Sequence, residues 1–169
     1  MLSVEELGAG PPLVLIHNGV MDSRTWNPQF RAFAERHRVI RYDSPGFGRT
    51  PPLEEAYRET NLLLDLFDEL GLEQAALVGG SRGGRIAVDF ALAQPESVTA
   101  LVLAGGALSG YPLGAYSAAQ EAREAAALEA GDWEAGTGIT LEGWGACGPG
   151  EGGRELVLRE HIKRHDQKH

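Results

Sequence analysis

The sequence predicts an α/β fold with a mostly parallel sheet, flanking helices and a helical segment at the C-terminal end. Short apolar runs alternate with helix-like segments between residues 12 and 104, which is typical of parallel strands joined by right-handed helical crossovers. The runs are continuous rather than alternating, as in strands that are covered on both faces. Beyond Gly106 no strand pattern returns, and the chain becomes rich in Ala, Glu and Gly.

Four apolar runs are predicted to be the strands of this sheet. They are Pro12–Ile16, residues 38–42, residues 75–78 and Val98–Ala104. The first two are followed by segments rich in Gly, Asn, Asp and Pro, which predict loops.

Helices are predicted between the strands. Asn27 followed by Pro28 favours a helix start with Asn27 as the N-cap, and this helix is expected to run to about Arg36. A second helix carries a wide apolar stripe over residues 62–70, and Gly71 is expected to close it.

The segment after Gly106 is predicted to be a separate helical cap. Ser117 and Gln120 have the spacing of a capping box, which predicts a helix to about residue 130 that closes at Gly131. A glycine-rich region over residues 136–153 and a last amphipathic helix near residues 156–162 follow. We therefore divide the chain into a core at residues 1–110 and a cap at residues 111–169.

Composition excludes several classes of function. The 169 residues carry a formal net charge of −9, which argues against a nucleic-acid partner. No run approaches the ~18 apolar residues of a membrane span, and the N-terminus does not resemble a signal peptide. Cys147 is the single cysteine, which suits a reducing compartment, so we expect a cytoplasmic location. Nothing around Cys147 is expected to lower its pKa and make it a catalytic thiol.

The sequence Gly79-Gly80-Ser81-Arg82-Gly83 carries the strongest functional signal. It follows an apolar run and precedes a helix-like segment at residues 84–91, which Pro95 is expected to stop. A G-x-S-x-G motif between a strand and a helix is a nucleophile elbow, in which Ser81 is held out at a tight turn. The helix N-terminus behind it favours negative charge, as an acyl-transfer oxyanion requires. A phosphate-binding loop is the alternative interpretation, but the lysine of that motif is missing.

Three motifs together resemble the N-terminal part of the α/β-hydrolase superfamily. His17-Asn18-Gly19 follows the first strong strand, the segment at residues 43–50 follows the second, and the segment at residues 78–84 closes the third. The resemblance covers about residues 4–110 and implies an α/β-hydrolase fold, incomplete in this chain. It also implies a serine hydrolase that acts on a small carboxylic ester, lactone or related acyl substrate, without a metal or an organic cofactor.

The same resemblance implies roles for individual residues. Ser81 would be the nucleophile, and the backbone N–H groups of Gly19 and Arg82 would form the oxyanion hole. His17 would be structural rather than the catalytic base. Asp43 would organise its loop through hydrogen bonds to the backbone.

The catalytic base and acid have no clear candidates in this chain. After Ser81 the histidines are His161, His165 and His169, and after Asp89 the aspartates are Asp132 and Asp166. We favour a frayed polar helix for the three histidines, spaced at i, i+4 and i+8. A Zn or Ni site and a rerouted catalytic triad are the alternatives.

The family's sheet normally continues for further strands that supply the acid and the histidine. This chain ends in the predicted cap, so we expect a fragment or truncated product. The strand Val98–Ala104 would then be an exposed apolar edge that pairs with a complementing chain or a second copy. Two other hypotheses stay open: an inactive hydrolase-like module that binds a ligand or partner without turnover, and an enzyme that uses the same nucleophile for acyl transfer or perhydrolysis.

Overall fold

The computed structural model describes residues 1–106, 108–110 and 115–143. Five strands are present in this part of the chain: β1 (Ser3–Leu7), β2 (Pro12–Ile16), β3 (Arg38–Asp43), β4 (Ala75–Gly80) and β5 (Val98–Ala104). The α-helices are α1 (Asn27–Phe33), α2 (Glu59–Leu70), α3 (Arg82–Ala93), α4 (Ala115–Glu129) and α5 (Trp133–Gly143).

The five strands form one mostly parallel sheet in the order β1-β3-β2-β4-β5. Strand β1 pairs antiparallel with β3, and the other pairings are parallel. The predicted α/β fold class is thereby confirmed. Because β2, β3 and β4 are parallel, the loops that follow them all leave the sheet at the carboxyl ends of the strands, which we call the carboxyl edge.

Both faces of the sheet are covered by apolar side chains. On one face, Leu63, Leu66 and Phe67 of α2 and Ile86 and Phe90 of α3 join a buried cluster with the strands. On the other face, α1 contributes Phe30 to a smaller cluster that contains Leu13, Leu15, Val39 and Val78. These two clusters explain why the strand segments lack polar alternation.

Strand β5 differs from the other strands because it is exposed. It pairs with β4 on one side and lies at the end of the sheet. Residues 99–104 are all exposed, and Leu101, Val102 and Leu103 keep 38%, 55% and 43% of their surface accessible. The described part of the chain thus has an apolar edge strand at the position that the sequence predicted.

The predicted start of α1 is wrong. Asn27 has helical backbone angles and is the first residue of the helix, and its side-chain oxygen accepts a hydrogen bond from Arg41 Nη1 at 2.6 Å. Asp22 caps the preceding 3₁₀ turn instead, by accepting from the Arg24 N–H at 2.9 Å. The helix ends at Phe33, before the expected Arg36. Trp26 is the N-cap of α1 and makes no side-chain capping bond, while the Asn27 side chain is engaged with β3.

The predicted capping box at Ser117 is also wrong. Helix α4 begins at Ala115, so Ser117 lies inside it. The Gln120 amide donates to the Ile139 carbonyl of α5 at 2.7 Å, and so joins two helices rather than capping one. Gly131, with φ of 75°, follows α4 as predicted.

Helix α5 extends into the glycine-rich region that the sequence analysis noted over residues 136–153. The Asp132 carboxylate accepts from the Ala135 N–H at 2.9 Å at the start of this helix. A Cβ on Gly136 would lie 2.6 Å from Leu128 Cδ2 of α4. Glycine lets α5 pack closely on α4 here without a shift of the Leu128 side chain, although its helix propensity is low.

The chain divides into two compact units, Met1–Ser109 and Gly110–His169. The first unit holds the whole described sheet, and the second holds α4 and α5. The assignment of the second unit as a cap stays a prediction.

Candidate active site

Ser81 occupies the turn between β4 and α3 in a strained backbone conformation. Its φ is 49° and its ψ is −115°, and within the described ranges it is the one residue other than glycine with a positive φ. Such a conformation costs about 1–3 kcal/mol and persists only where the surroundings impose it. The side chain is exposed, and the Ser81 N–H donates to the Ala104 carbonyl of β5 at 2.9 Å. This is the turn geometry that a nucleophile elbow requires.

The glycines beside Ser81 are required by close backbone contacts. A Cβ on Gly79 would lie 2.3 Å from the Gly83 carbonyl oxygen, and a Cβ on Gly83 would lie 2.2 Å from the Ile16 carbonyl oxygen. Neither obstacle is a flexible side chain, so neither can give way. The two glycines let α3 start directly against β4 and β2 and hold Ser81 at the end of the strand.

Helix α3 begins at Arg82, immediately after Ser81. The Ser81 carbonyl accepts from the N–H groups of Gly84 and Arg85 at 2.9 and 3.2 Å. The N–H of Arg82 is one of the first N–H groups of the helix, which have no acceptor within the helix itself. The positive end of the helix dipole therefore lies at Ser81.

The loop after β2 lies beside the start of α3. Asn18 shapes it, because its side-chain oxygen accepts from the N–H groups of Val20 and Met21 at 3.0 and 2.8 Å. A Cβ on Gly19 would lie 3.4 Å from both Cβ and Cδ of Arg82. The two backbone segments that we predicted to form an oxyanion hole are therefore adjacent.

His17 is fully buried and uses both ring nitrogens. Nδ1 lies 2.7 Å from the Asn18 carbonyl and Nε2 accepts from the Ser44 N–H at 3.0 Å, so the ring is neutral with its proton on Nδ1. Burial lowers the pKa of His17 to about 4; the hydrogen bond to Asn18 raises it, and the charge on Arg82 lowers it further. His17 joins the loops after β2 and β3, as a structural histidine does.

Asp43 organises the loop after β3. Its carboxylate accepts from the backbone N–H of Ser23 and the backbone N–H of Arg49, both at 2.9 Å. A Cβ on Gly48, whose φ is 50°, would collide with this carboxylate at 2.2 Å. Asp43 thus accepts a backbone hydrogen bond from its own loop, as expected, and a second one from the segment after β2.

An ion pair beside Ser81 was missed by the sequence analysis. The Arg82 guanidinium pairs with the carboxylate of Glu59, the first residue of α2. The guanidinium also lies 3.3 Å from Ser44 Oγ and 5.0 Å from the centroid of the Phe47 ring. Both charged side chains are about four-fifths buried. The partners are 23 residues apart in sequence, and no local pattern indicates the pair.

Further polar groups surround this ion pair. Glu59 Oε2 and the Tyr42 hydroxyl are buried, and in the described part of the chain neither has a hydrogen-bond partner. Burial, and then the charge on Glu59, raises the pKa of Tyr42, and the same causes raise the pKa of Tyr57. Arg82 therefore lies in a polar cluster that extends from Ser81 into the core.

No histidine in the described part of the chain is hydrogen bonded to Ser81. His161, His165, His169, Asp166 and Cys147 lie outside the described residues. In those that are described, no three metal-ligating side chains come together. Each helix within the described ranges is too short or too polar to cross a membrane.

Comparison with known proteins identifies the family. The sequence model of the alpha/beta hydrolase fold family matches residues 11–134. These residues include the strand, turn and helix around Ser81. The chain belongs to the alpha/beta hydrolase fold family. The resemblance seen in the motifs is thereby confirmed.

Similar proteins are hydrolases with several substrates. The chain is 38% identical over 101 residues to a pimeloyl-[acyl-carrier protein] methyl ester esterase of Aeromonas hydrophila, a match covering 60% of the chain and 40% of the relative. It is 40% identical over 114 residues to a 2-hydroxy-6-oxononadienedioate/2-hydroxy-6-oxononatrienedioate hydrolase of Paraburkholderia phymatum, covering 62% of the chain and 40% of the relative. The matches therefore span about two-fifths of the length of these curated relatives.

A solved structure shares the fold over nearly the whole chain. A hydrolase from Pseudomonas aeruginosa PA01 superposes with a TM-score of 0.74 and 26% identity, covering 98% of this chain and 65% of that one. The likeness supports the arrangement of sheet and helices described above.

Proposed function

We propose that this chain carries the nucleophile and oxyanion hole of a serine hydrolase that acts on a small carboxylic ester, lactone or related acyl compound. The single observation that carries the proposal is the strained turn at Ser81, where an exposed hydroxyl precedes a helix N-terminus. Such strain has a cost, and functional sites are where it is usually retained.

In the proposed mechanism the Ser81 hydroxyl oxygen attacks the acyl carbonyl and forms the new C–O bond. Its proton passes to a base, and the carbonyl oxygen becomes an oxyanion that accepts from the backbone N–H groups of Arg82 and Gly19. Collapse expels the leaving alcohol, which takes up the proton, and water then hydrolyses the acyl enzyme. In this proposal the base and its orienting acid come from outside the described residues, and no metal or cofactor takes part.

The substrate class rests on the relatives. Those named above include an ester hydrolase and a hydrolase of dienedioate and trienedioate compounds, so an acyl-type substrate is the common element. Acyl transfer or perhydrolysis would use the same nucleophile with a different acceptor. The single cysteine of the sequence agrees with a cytoplasmic location, which we include in the proposal.

Hydrolysis of a generic aryl ester tests the proposal. The wild-type chain should release the phenolate catalytically, and Ser81→Ala should reduce kcat at least about 1000-fold. Ser109→Ala is the matched control, because it removes an exposed hydroxyl that donates to Asp89 at 2.6 Å and should leave turnover unchanged. Equal turnover by Ser81→Ala would refute the proposal.

A second candidate function is binding of a partner chain without turnover. The exposed apolar edge of β5 favours it, because natural edge strands usually carry charges, prolines or bulges that prevent pairing. Residues 98–104 have no charged residue and no proline. Turnover of the aryl ester that disappears in Ser81→Ala would exclude this candidate as the sole function.

A further inference from the structure

Arg82 extends across three separate segments at the carboxyl edge of the sheet. Its aliphatic part lies near Gly19 in the loop after β2, and its guanidinium contacts Ser44 and Phe47 in the loop after β3. The same guanidinium pairs with Glu59 at the start of α2. A single side chain thus links the loop after β2, the loop after β3 and the start of α2.

Stability alone does not account for this ion pair. Removing two charges from water costs several kcal/mol, and apolar residues of similar size often serve stability equally well. Here the cost is increased, because Glu59 Oε2 is buried and has no hydrogen-bond partner among the described residues. A buried polar group left unsatisfied beside a candidate active site calls for a functional explanation.

The backbone of Arg82 provides that explanation. Its N–H follows Ser81 directly and is a donor in the proposed oxyanion hole, where a misplacement of ~1 Å can reduce the rate about 100-fold. The Arg82 side chain is attached to this backbone and also lies beside the loop that holds the second proposed donor, since a Cβ on Gly19 would be 3.4 Å from it. A counter-ion that fixes the side chain therefore also fixes both donors.

We propose that Glu59 is a positioning residue, which holds the Arg82 side chain across the loops after β2 and β3 and thereby sets the Arg82 and Gly19 N–H groups at Ser81. This inference rests on the proposed function, since it refers to the same oxyanion hole. It adds a residue from α2 that lies outside the nucleophile motif. Glu59 itself does not contact the reacting atoms.

Two readouts on Glu59→Gln test the inference, with Glu6→Gln as the matched control. Glu6 pairs with Arg38 at 2.8 Å, so the same substitution removes an ion pair elsewhere in the fold. Glu59→Gln should lower the maximal rate of Ser81 labelling by an aryl fluorophosphonate at least about tenfold without changing the apparent binding constant of the probe. It should also shift the backbone amide NMR signal of Gly19, and Glu6→Gln should do neither.

A double-mutant comparison of Arg82 and Glu59 provides a second test. Arg82→Gln should slow labelling as much as Glu59→Gln does. The double variant should be no slower than either single variant, because each substitution removes the same contact between Arg82 and Glu59. If Glu59→Gln does not fold, Arg82→Lys replaces it, since a lysine lacks the fork of N–H donors with which the guanidinium contacts Glu59 and Ser44. It should also shift the Gly19 signal.

The outcomes separate the two proposals. A wild-type chain that is not labelled contradicts the proposed function, while the Gly19 amide signal still decides the positioning role: a shift in Glu59→Gln supports it. An unchanged Gly19 signal overturns it, and so do equal effects of Glu59→Gln and Glu6→Gln.

Discussion

Ser81 shows why a short motif is informative at the residue scale. Its positive φ is maintained by tight packing of the turn, in which Gly79 lies against the start of α3 and Gly83 lies against the end of β2. A side chain at either position would meet a carbonyl oxygen of the sheet or the helix. The G-x-S-x-G pattern therefore predicts the geometry from steric reasons, and the structure shows the contacts that impose it.

Gly83→Ala should be strongly destabilising. The new Cβ would lie 2.2 Å from the Ile16 carbonyl oxygen, so β2 and α3 must separate, at a cost of more than about 3 kcal/mol. Gly138→Ala is the matched control, because Gly138 is also helical but a Cβ there would meet no atom of the described residues within 4 Å. It should gain up to about 1 kcal/mol from helix propensity. Urea unfolding measures both. Similar stabilities for the two variants would contradict the steric argument.

His17 should make the fold sensitive to mild acid. Its pKa falls from 6.5 to about 4 on burial, so between these values the unfolded chain binds a proton that the folded chain does not. Stability is therefore complete above pH 6.5 and decreases as the pH falls toward 4. We expect a loss of about 2 kcal/mol from this residue between pH 7 and pH 5. Urea unfolding across this range measures it.

A direct titration checks the cause of that loss. The His17 ring should remain neutral at pH 5 in the folded chain when followed by NMR, whereas His17→Gln should flatten the pH dependence of stability over the same range. A His17 ring that titrates near pH 6.5 would show that the acid sensitivity has another origin.

At the scale of elements, strands were easier to predict than helix starts. The bounds of β2 and β5 agree with the sequence prediction, because a continuous apolar run between turn residues has one favourable location. The starts of α1 and α4 were wrong, because Asn27 and Gln120 bond to distant residues rather than to their own helix ends. A side chain that can cap can also be recruited by a tertiary partner, and local sequence does not distinguish the two.

Strand β5 should mediate association. We expect concentration-dependent oligomers in sedimentation velocity, because its outer backbone groups and exposed Val102 lie at an apolar edge. Val102→Lys should shift the chain toward the monomer by placing a charge at that edge. Leu92→Lys is the control, because Leu92 is 78% exposed on α3. A wild-type chain that stays monomeric at high concentration would contradict the pairing.

At the scale of the whole molecule, the family and the turn at Ser81 could be predicted from the sequence, and the environment of Ser81 could not. The three loop motifs each belong to one strand end, so sequence order alone indicates that they meet at one edge of the sheet. The Arg82–Glu59 pair joins residues from two helices. Only the packing of α2 beside α3 brings them together, and that packing depends on the whole apolar cluster.

The central claim is that Ser81 is a nucleophile, and active-site labelling tests it most directly. The 169-residue chain would be treated with a fluorophosphonate probe, beside Ser81→Ala and Ser109→Ala, and the adduct located by peptide mass spectrometry. We predict an adduct on Ser81 in the wild type and in Ser109→Ala, and none in Ser81→Ala. An unlabelled wild-type chain, or equal labelling of Ser81→Ala, would contradict the account.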